Sequence, residues 1–227
     1  MKISVIVPVL NEEKALPAFL RYASKWEHVD EILFVDGGST DSTCDLLLQR
    51  GHFAITGAHG RGAQCRLGVA EARGDAFVFI HADSLVPPDS MEAIRAALEK
   101  GIPWGCLTLR FRSYDYGMRI GALASNARVR LTGIPFGDQV MFMTRDAYEK
   151  VGGMPDIPIM EDYELSRQLR SISWPKQLRQ KVYTSARRFE EGGALRTMAQ
   201  MRHLRHLYRK GVDAGKIAQL YQSGKLR

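Results

Sequence analysis

Little in this chain supports a metal–thiolate centre, a disulfide framework or a membrane span. Its 227 residues carry 3 cysteines, Cys44, Cys65 and Cys106. No two form a CxxC pair, and none joins histidines at zinc-ligand spacing. Free thiols in a reducing compartment are the expected state. No window approaches the roughly 20 apolar residues of a membrane helix. The opening run Met1–Pro8 lacks the longer apolar stretch and small-residue cleavage site of a secretory signal, so a cytoplasmic location is expected. There is no internal repeat and no low-complexity linker. No GxGxxG occurs, which argues against a dinucleotide-binding dehydrogenase.

Hydrophobic residues make up 45% of the chain, ordinary for a globular protein, so disorder is excluded. The length suits one domain with an appended segment. The formal net charge is +7, which favours an anionic partner such as nucleotide phosphate, nucleic acid or an acidic membrane surface. Between Arg187 and Arg209 only Glu190 and Glu191 interrupt a stretch rich in Arg and His. The ordinary reading of such a stretch is a solvated face. No stacking motif or recognition signature accompanies the charge, so no nucleic-acid partner is expected.

Apolar patterning alternates between strand and helix. Ile3–Val7 is a β-branched run stopped by Pro8, and the residues from Asn11 open a helix with Leu16, Phe19, Leu20 and Ala23 on one face. Glu31–Val35 is a second strand, ending in the turn cluster Asp36-Gly37-Gly38-Ser39-Thr40-Asp41; a helix follows from about Ser42 to Gln49, closed by Gly51. Phe53–Thr56 reads as a third strand, Gln64–Ala72 as a helix, and Ala76–Ile80 as a fourth strand that runs into His81-Ala82-Asp83. This rhythm implies βαβ units and a mostly parallel sheet, with ligands beyond the carboxyl ends of the strands. Three polar clusters end three strands, at Asn11-Glu12, Asp36-Gly37-Gly38 and His81-Ala82-Asp83, and should converge on one cleft. Further along, Cys106–Phe111 and Gly137–Thr144 read as strands, 160–169 as a helix, and 195–208 as a helix carrying the stripe Leu195, Met198, Met201, Leu204, Leu207, Tyr208.

Several side chains in this pattern can carry chemistry, and each has a plainer alternative. Asp83 at a strand end can bind a divalent cation and so neutralise a diphosphate, or it can cap the helix expected near Pro87-Pro88. Asp36 can accept a hydrogen bond from a base, or it can close an Asx-turn. Gly37 and Gly38 permit close backbone approach to a ligand. Glu161 and Asp162 start a helix, where the dipole favours the charged carboxylate that a general base needs, though acids are common in first turns. They point about 100° apart, and their spacing to Leu165 does not decide which faces inward. Arg61 and Arg66 flank a Gly-bounded loop, and Arg187 with Arg188 precedes the last helix; either pair can hold phosphate, or simply be solvated.

The segments SVIVPVLNEE (4–13), VDGGSTDST (35–43), GRGAQCRLG (60–68), FIHADS (79–84), FGDQVMFMTRDAYEKVGGMP (136–155), MEDYELSRQLR (160–170) and TSARRFE (184–190) stand in order. On these motifs the chain resembles a family 2 glycosyltransferase of the GT-A fold, nearest the arsenosugar-biosynthesis or selenodomain-associated subgroup. The resemblance implies an α/β, mixed but mostly parallel sheet flanked by helices. It divides the chain into a domain over 1–190, with a nucleotide-binding half 1–100 and an acceptor and catalytic half 101–190. A C-terminal helical extension of the same domain occupies 191–227.

It also implies roles. Pro8, Leu10, Glu12, Asp36, Gly37, Arg61, Ala82, Asp83, Arg187 and Arg188 would bind the nucleotide-diphosphate sugar donor. Asp83 and His81 stand at the metal motif for Mn²⁺ or Mg²⁺, although His81 replaces that motif's usual first Asp. Asp162 with Glu161 matches the ED motif, whose Asp is usually the base, for an inverting, metal-dependent transfer to an unidentified acceptor hydroxyl. The alternative is a non-catalytic nucleotide-sugar-binding or regulatory protein on the same fold. The last helix is expected to pack its stripe on the domain or in a homodimer; its alternative is peripheral contact with an anionic membrane face.

Overall fold

A computed structural model describes residues 1–187, 189 and 193–223. Its elements are β1 (Ile3–Val9), α1 (Leu16–Ala23), β2 (Glu31–Asp36), α2 (Thr43–Gln49), β3 (Ala54–Ile55), α3 (Arg61–Glu71), β4 (Ala76–Phe79), α4 (Pro88–Glu99), β5 (Trp104–Phe111), α5 (Tyr116–Thr132), β6 (Met141–Thr144), α6 (Arg145–Lys150), α7 (Glu161–Leu169), β7 (Lys176–Thr184), α8 (Ala194–Arg209) and α9 (Ala214–Ser223). The strands make one sheet in the order β3-β2-β1-β4-β6-β5-β7. β3, β2, β1 and β4 run parallel, β6 is antiparallel to both its neighbours, and β7 is parallel to β5. This is the mixed, mostly parallel α/β sheet expected from the sequence. No described helix is long and apolar enough to cross a membrane.

The central strands are apolar throughout because helices cover both faces of the sheet. Alternate residues divide between two cores. Val5, Val7, Val78 and Ile80 pack with Leu16, Phe19 and Phe34 on one face; Ile6, Val35, Phe77 and Phe79 pack with Tyr148, Leu165 and Leu169 on the other. On the first face Phe19 meets Trp26 and Phe34 edge-on, with centroids 5.5 and 5.9 Å away.

Several boundaries shift from the expected ones. β1 continues through Pro8 to Val9, because its pairing with β4 has already ended at Ile6–Phe79 and the missing proline N–H has no partner strand on that side. α3 starts at Arg61, not Gln64. Gly137–Gln139 forms a 3₁₀ turn, and strand begins only at Met141. α5 and β7 had no expected counterpart. The α5 helix buries only Met118, Ala122, Asn126 and Val129, and Asn126 satisfies both polar groups of Leu109 in β5, at 2.9 and 3.0 Å. The stripe of α8 does pack on the domain. Leu204 is 2% exposed against Met160 and Ile217, with Met201, Leu207 and Tyr208 beside it. The side chain of Leu195 lies outside the described residues.

Gly105 in β5 lies tight against β7. A Cβ there would lie 2.1 Å from the Lys176 carbonyl oxygen and 2.6 Å from Phe142 Cζ. Backbone on one side and a buried ring on the other leave no room to relax. Gly105→Ala is expected to lower unfolding stability by about 1–3 kcal/mol, the usual cost of overpacking, with the loss read as a shifted midpoint in urea titration.

Candidate functional site

The strand order reverses at β1. β2 and β3 lie on one side and β4 on the other, and crevices for ligands open at such reversal points beyond the carboxyl ends of the strands. Here β1 runs on beside β2 after leaving β4, and a cavity of about 800 Å³ opens at the parting. Pro8, Leu10, Glu12, Arg61, His81, Ala82, Asp83, Asp162 and Arg187 line it. Asp36, Gly37 and Glu161 are not among the lining residues, and Arg188 lies outside the described residues.

Asp36 is 4% exposed, and its carboxylate is occupied by its own turn. It accepts from the Gly38 N–H at 2.9 Å, the Ser39 N–H at 3.0 Å and the Ser39 hydroxyl at 2.5 Å. Gly37 sits against the buried Gln64 side chain. That amide donates to the carbonyls of Val9, at 2.9 Å, and Val35, at 2.7 Å. Gln64 therefore ties together the ends of β1 and β2 at the floor of the cleft.

Spacing alone left Glu161 and Asp162 undivided; geometry separates them. Glu161 is 2% exposed and pairs with the Arg61 guanidinium of α3. Burial works against the arginine's charge, yet Glu161 and Asp162 override it and hold Arg61 above its ordinary pKa. Asp162, next along α7, lines the cavity. Its Oδ2 accepts the Gly137 N–H at 2.8 Å and its Oδ1 its neighbour Tyr163's N–H at 2.7 Å. His81 meets the same glycine, since a Cβ on Gly137 would fall 2.8 Å from His81 Nε2 and 3.4 Å from Asp162 Oδ2. Burial, reinforced by Arg61, pulls the His81 imidazole down to about 4, so it is neutral at physiological pH. Asp83 lies on the turn after β4, closed by the Ser84 N–H donating to the His81 carbonyl at 2.9 Å. β7 braces this turn through Ser84 Oγ and Thr184 Oγ1, 2.9 Å apart.

The cysteines take no part. All three are free, and burial pushes the Cys65 thiol up to about 12 and that of Cys106 higher still. Thiolate chemistry is therefore absent at neutral pH.

The structure adds residues that the sequence reading did not single out. Asp138 follows Gly137 in the 3₁₀ turn and lines the cavity. Its buried Oδ1 has no hydrogen-bond partner among the described residues. Burial pushes its carboxyl up to about 6; Arg128 opposes the rise, while Asp162 and Asp83 add to it. Glu12 is raised as well, first by burial and then by Asp83, and its Oε2 is likewise unpartnered. Arg128 of α5 stands 3.6 Å over the Phe136 ring, and Arg205 of α8 stands 5.1 Å from the same centroid. A Gly-Asp-Gln triplet after Pro135 was a turn signal, but the apolar run behind it hid the turn.

Residues 4–152 match the family model described as Glycosyl transferase family 2. An undecaprenyl-phosphate 4-deoxy-4-formamido-L-arabinose transferase from Pseudomonas fluorescens is 29% identical over 150 residues, 60% of this chain and 44% of that protein. The chain thus spans under half the length of that relative. Among solved structures, a mannosyltransferase from Pyrobaculum calidifontis in complex with GDP-Man and Mn²⁺ superposes with a TM-score of 0.71 at 19% identity, covering 93% of this chain and 64% of that one. A glucosyl-3-phosphoglycerate synthase from Mycobacterium tuberculosis with Mg²⁺ and UDP gives 0.62 at 20% identity, covering 79% and 69%. Both structural likenesses establish the fold.

Asp138 yields a pH-dependent prediction. Its folded pKa, about 6, lies above that of an unfolded aspartate. The native state therefore holds the proton longer, and stability falls as pH rises from about 4 through 6. Asp138→Asn removes that loss. Its unfolding free energy is expected to exceed wild type by on the order of 2 kcal/mol at pH 7.5, with no difference at pH 3.5. Denaturant unfolding at both pH values measures it.

Proposed function

The chain belongs to glycosyl transferase family 2, and we propose that it transfers a sugar from a nucleotide-diphosphate donor to an acceptor hydroxyl, inverting the anomeric carbon. The observation that carries this reading is the convergence of Asp83 and Asp162 on one cavity at the strand ends, with Glu161 withdrawn into an ion pair. Within the family we assign the chain to the arsenosugar-biosynthesis or selenodomain-associated subgroup on its motifs.

The residues present fit a hard divalent cation. Among the described residues the Asp83 carboxylate receives a single side-chain contact, from Ser84 Oγ at 3.4 Å. Unpartnered carboxylate oxygens of Glu12 and Asp138 stand in the same cavity wall, and the His81 imidazole is neutral. Mg²⁺ and Mn²⁺ take oxygen ligands, often one or two carboxylates with the rest from substrate phosphates. We assign the ion to Asp83 and His81, and when bound it neutralises charge on the departing diphosphate. Pro8, Leu10 and Glu12 shape the nucleotide side of the cavity, and the turn that Asp36 closes, with Gly37, forms its border. Arg61 holds Glu161 out of the way, and Arg187, 3.9 Å from Glu12, adds positive charge at the rim. Asp162 takes the acceptor proton on its carboxylate, held in place by the Gly137 N–H.

A thermal-shift screen of nucleotide sugars with and without Mn²⁺ identifies the donor, which stabilises the fold by mass action. Asp83→Ala is expected to remove the metal-dependent shift. Asp162→Asn is expected to slow single-turnover transfer by about 10²–10⁴-fold, the usual contribution of a general base, while donor affinity stays near wild type. Transfer at the wild-type rate by Asp162→Asn sinks the assignment of the base.

A further inference from the structure

Beside the main cavity lies a second one of about 550 Å³, and six of its eleven lining residues are arginines. It is lined by Arg128 from α5, Arg167 from α7, Arg170 just after it, and Arg202, Arg205 and Arg209 from α8, with His206 and no acidic residue. The α8 arginines recur at intervals of three and four, so they share one helix face. The sequence reading made them solvated charges behind the apolar stripe; the fold turns them onto a concave wall instead.

The local charge is poorly compensated. Glu164 takes Arg167, at 2.6 and 3.0 Å. Arg128 is held by the Ile134 carbonyl and Gln139, and Arg170 by the Thr132 carbonyl, all uncharged partners. Among the described residues Arg202, Arg205 and Arg209 have no ion pair. Phe136 carries two of the guanidiniums over its ring and fixes their spacing. Like charges gathered this closely in a hollow, with one ion pair among the six arginines in the described residues and with Asp138 and Asp162 acting on Arg128 and Arg205 without pairing with them, make a site for a multivalent anion. Planar guanidinium forks match phosphate oxygens in particular.

The two cavities share Arg128, Phe136, Arg202 and Arg205. The arginine cavity includes none of Glu12, Arg61, His81 or Asp83, so it is not the donor-diphosphate position. We infer that it binds the phosphate of a phosphomonoester acceptor, whose remaining atoms extend past Phe136 toward Asp162. This inference rests on the transferase reading for its choice of acceptor over any other anion. The cavity is much larger than one phosphate and has room for the organic part beside it.

The chemistry is shared by a soluble phosphomonoester and a lipid one. Calorimetry on the full chain therefore uses glycerol 3-phosphate in one arm and phosphatidic-acid vesicles, against phosphatidylcholine vesicles, in the other. Binding in the first arm identifies a soluble source, and binding in the second alone a lipid source; either supports the inference. Arg202→Gln/Arg205→Gln should weaken the bound probe at least tenfold. Arg170→Gln/Arg209→Gln serves if the first variant melts abnormally. Saturating UDP or GDP with Mn²⁺ should leave the probe bound. No binding of either probe, unchanged binding in both variants, or displacement by the nucleotide overturns the proposal. Phosphate binding that survives while no nucleotide sugar binds sinks the transferase reading alone.

Discussion

The ion pair between Arg61 and Glu161 joins the two halves of the chain at the point where they must cooperate. Arg61 opens α3, within the first hundred residues; Glu161 opens α7, beside the aspartate proposed as the base. A carboxylate as buried as Glu161 needs a compensating charge, and among the described residues its ion-pair partner is Arg61, a hundred residues earlier in the chain. Once the pair forms, the direction of α7 is fixed. Asp162, about 100° further around the helix, must then face the cavity. Close packing supports the arrangement. A Cβ on Gly62, beside Arg61, would touch the Pro155 carbonyl at 3.0 Å and Glu161 Cβ at 3.3 Å, so α3 lies directly on the segment leading into α7.

Around this pair charge is sorted by sign. Glu12, Asp83, Asp138 and Asp162 lie near the strand ends; Glu12 and Asp138 are raised first by burial, and then by neighbouring carboxylates, Asp83 for both and Asp162 for Asp138. The arginines come from α5, α7 and α8 on the outer wall. The formal excess of +7 is thus partly concentrated on one side of a cleft whose floor is acidic. Such a field orients a ligand carrying negative charge at one end and hydroxyls at the other.

Much of residues 1–100 was legible in the sequence because their strands are short β-branched or aromatic runs stopped by turn residues, and the polar clusters sit where those runs end. The residues after 100 were harder to read for identifiable reasons. α5 presents a thin apolar stripe with Asn126 on it, and this buried amide works as a bracket for β5 instead of a surface group. β7, KQLRQKVYT, puts charged residues on an edge strand, where they protect the open side of the sheet but resemble a loop in sequence. Asp138 was hidden by a turn that borders an apolar strand. Arg205 sits on the same helix as the stripe that was read correctly, yet no periodicity says whether the opposite face meets water or a cavity wall. Helical spacing could not choose between Glu161 and Asp162, because both sit within one turn of Leu165; only the partner of Glu161, a hundred residues earlier, makes the choice.

α8 presses Leu204 into a small core with Met160 and Ile217 while its opposite side walls the cleft, and every strand of the sheet precedes it in the chain. The floor of the site can therefore be laid down before its wall exists. During synthesis the sheet, with Gln64 bracing the strand ends, can assemble while α8 is still to come, leaving an open, acid-lined shelf. Arg202, Arg205 and Arg209 join the wall only when that late segment docks, so the cationic side of the cavity is the last part of it to be completed.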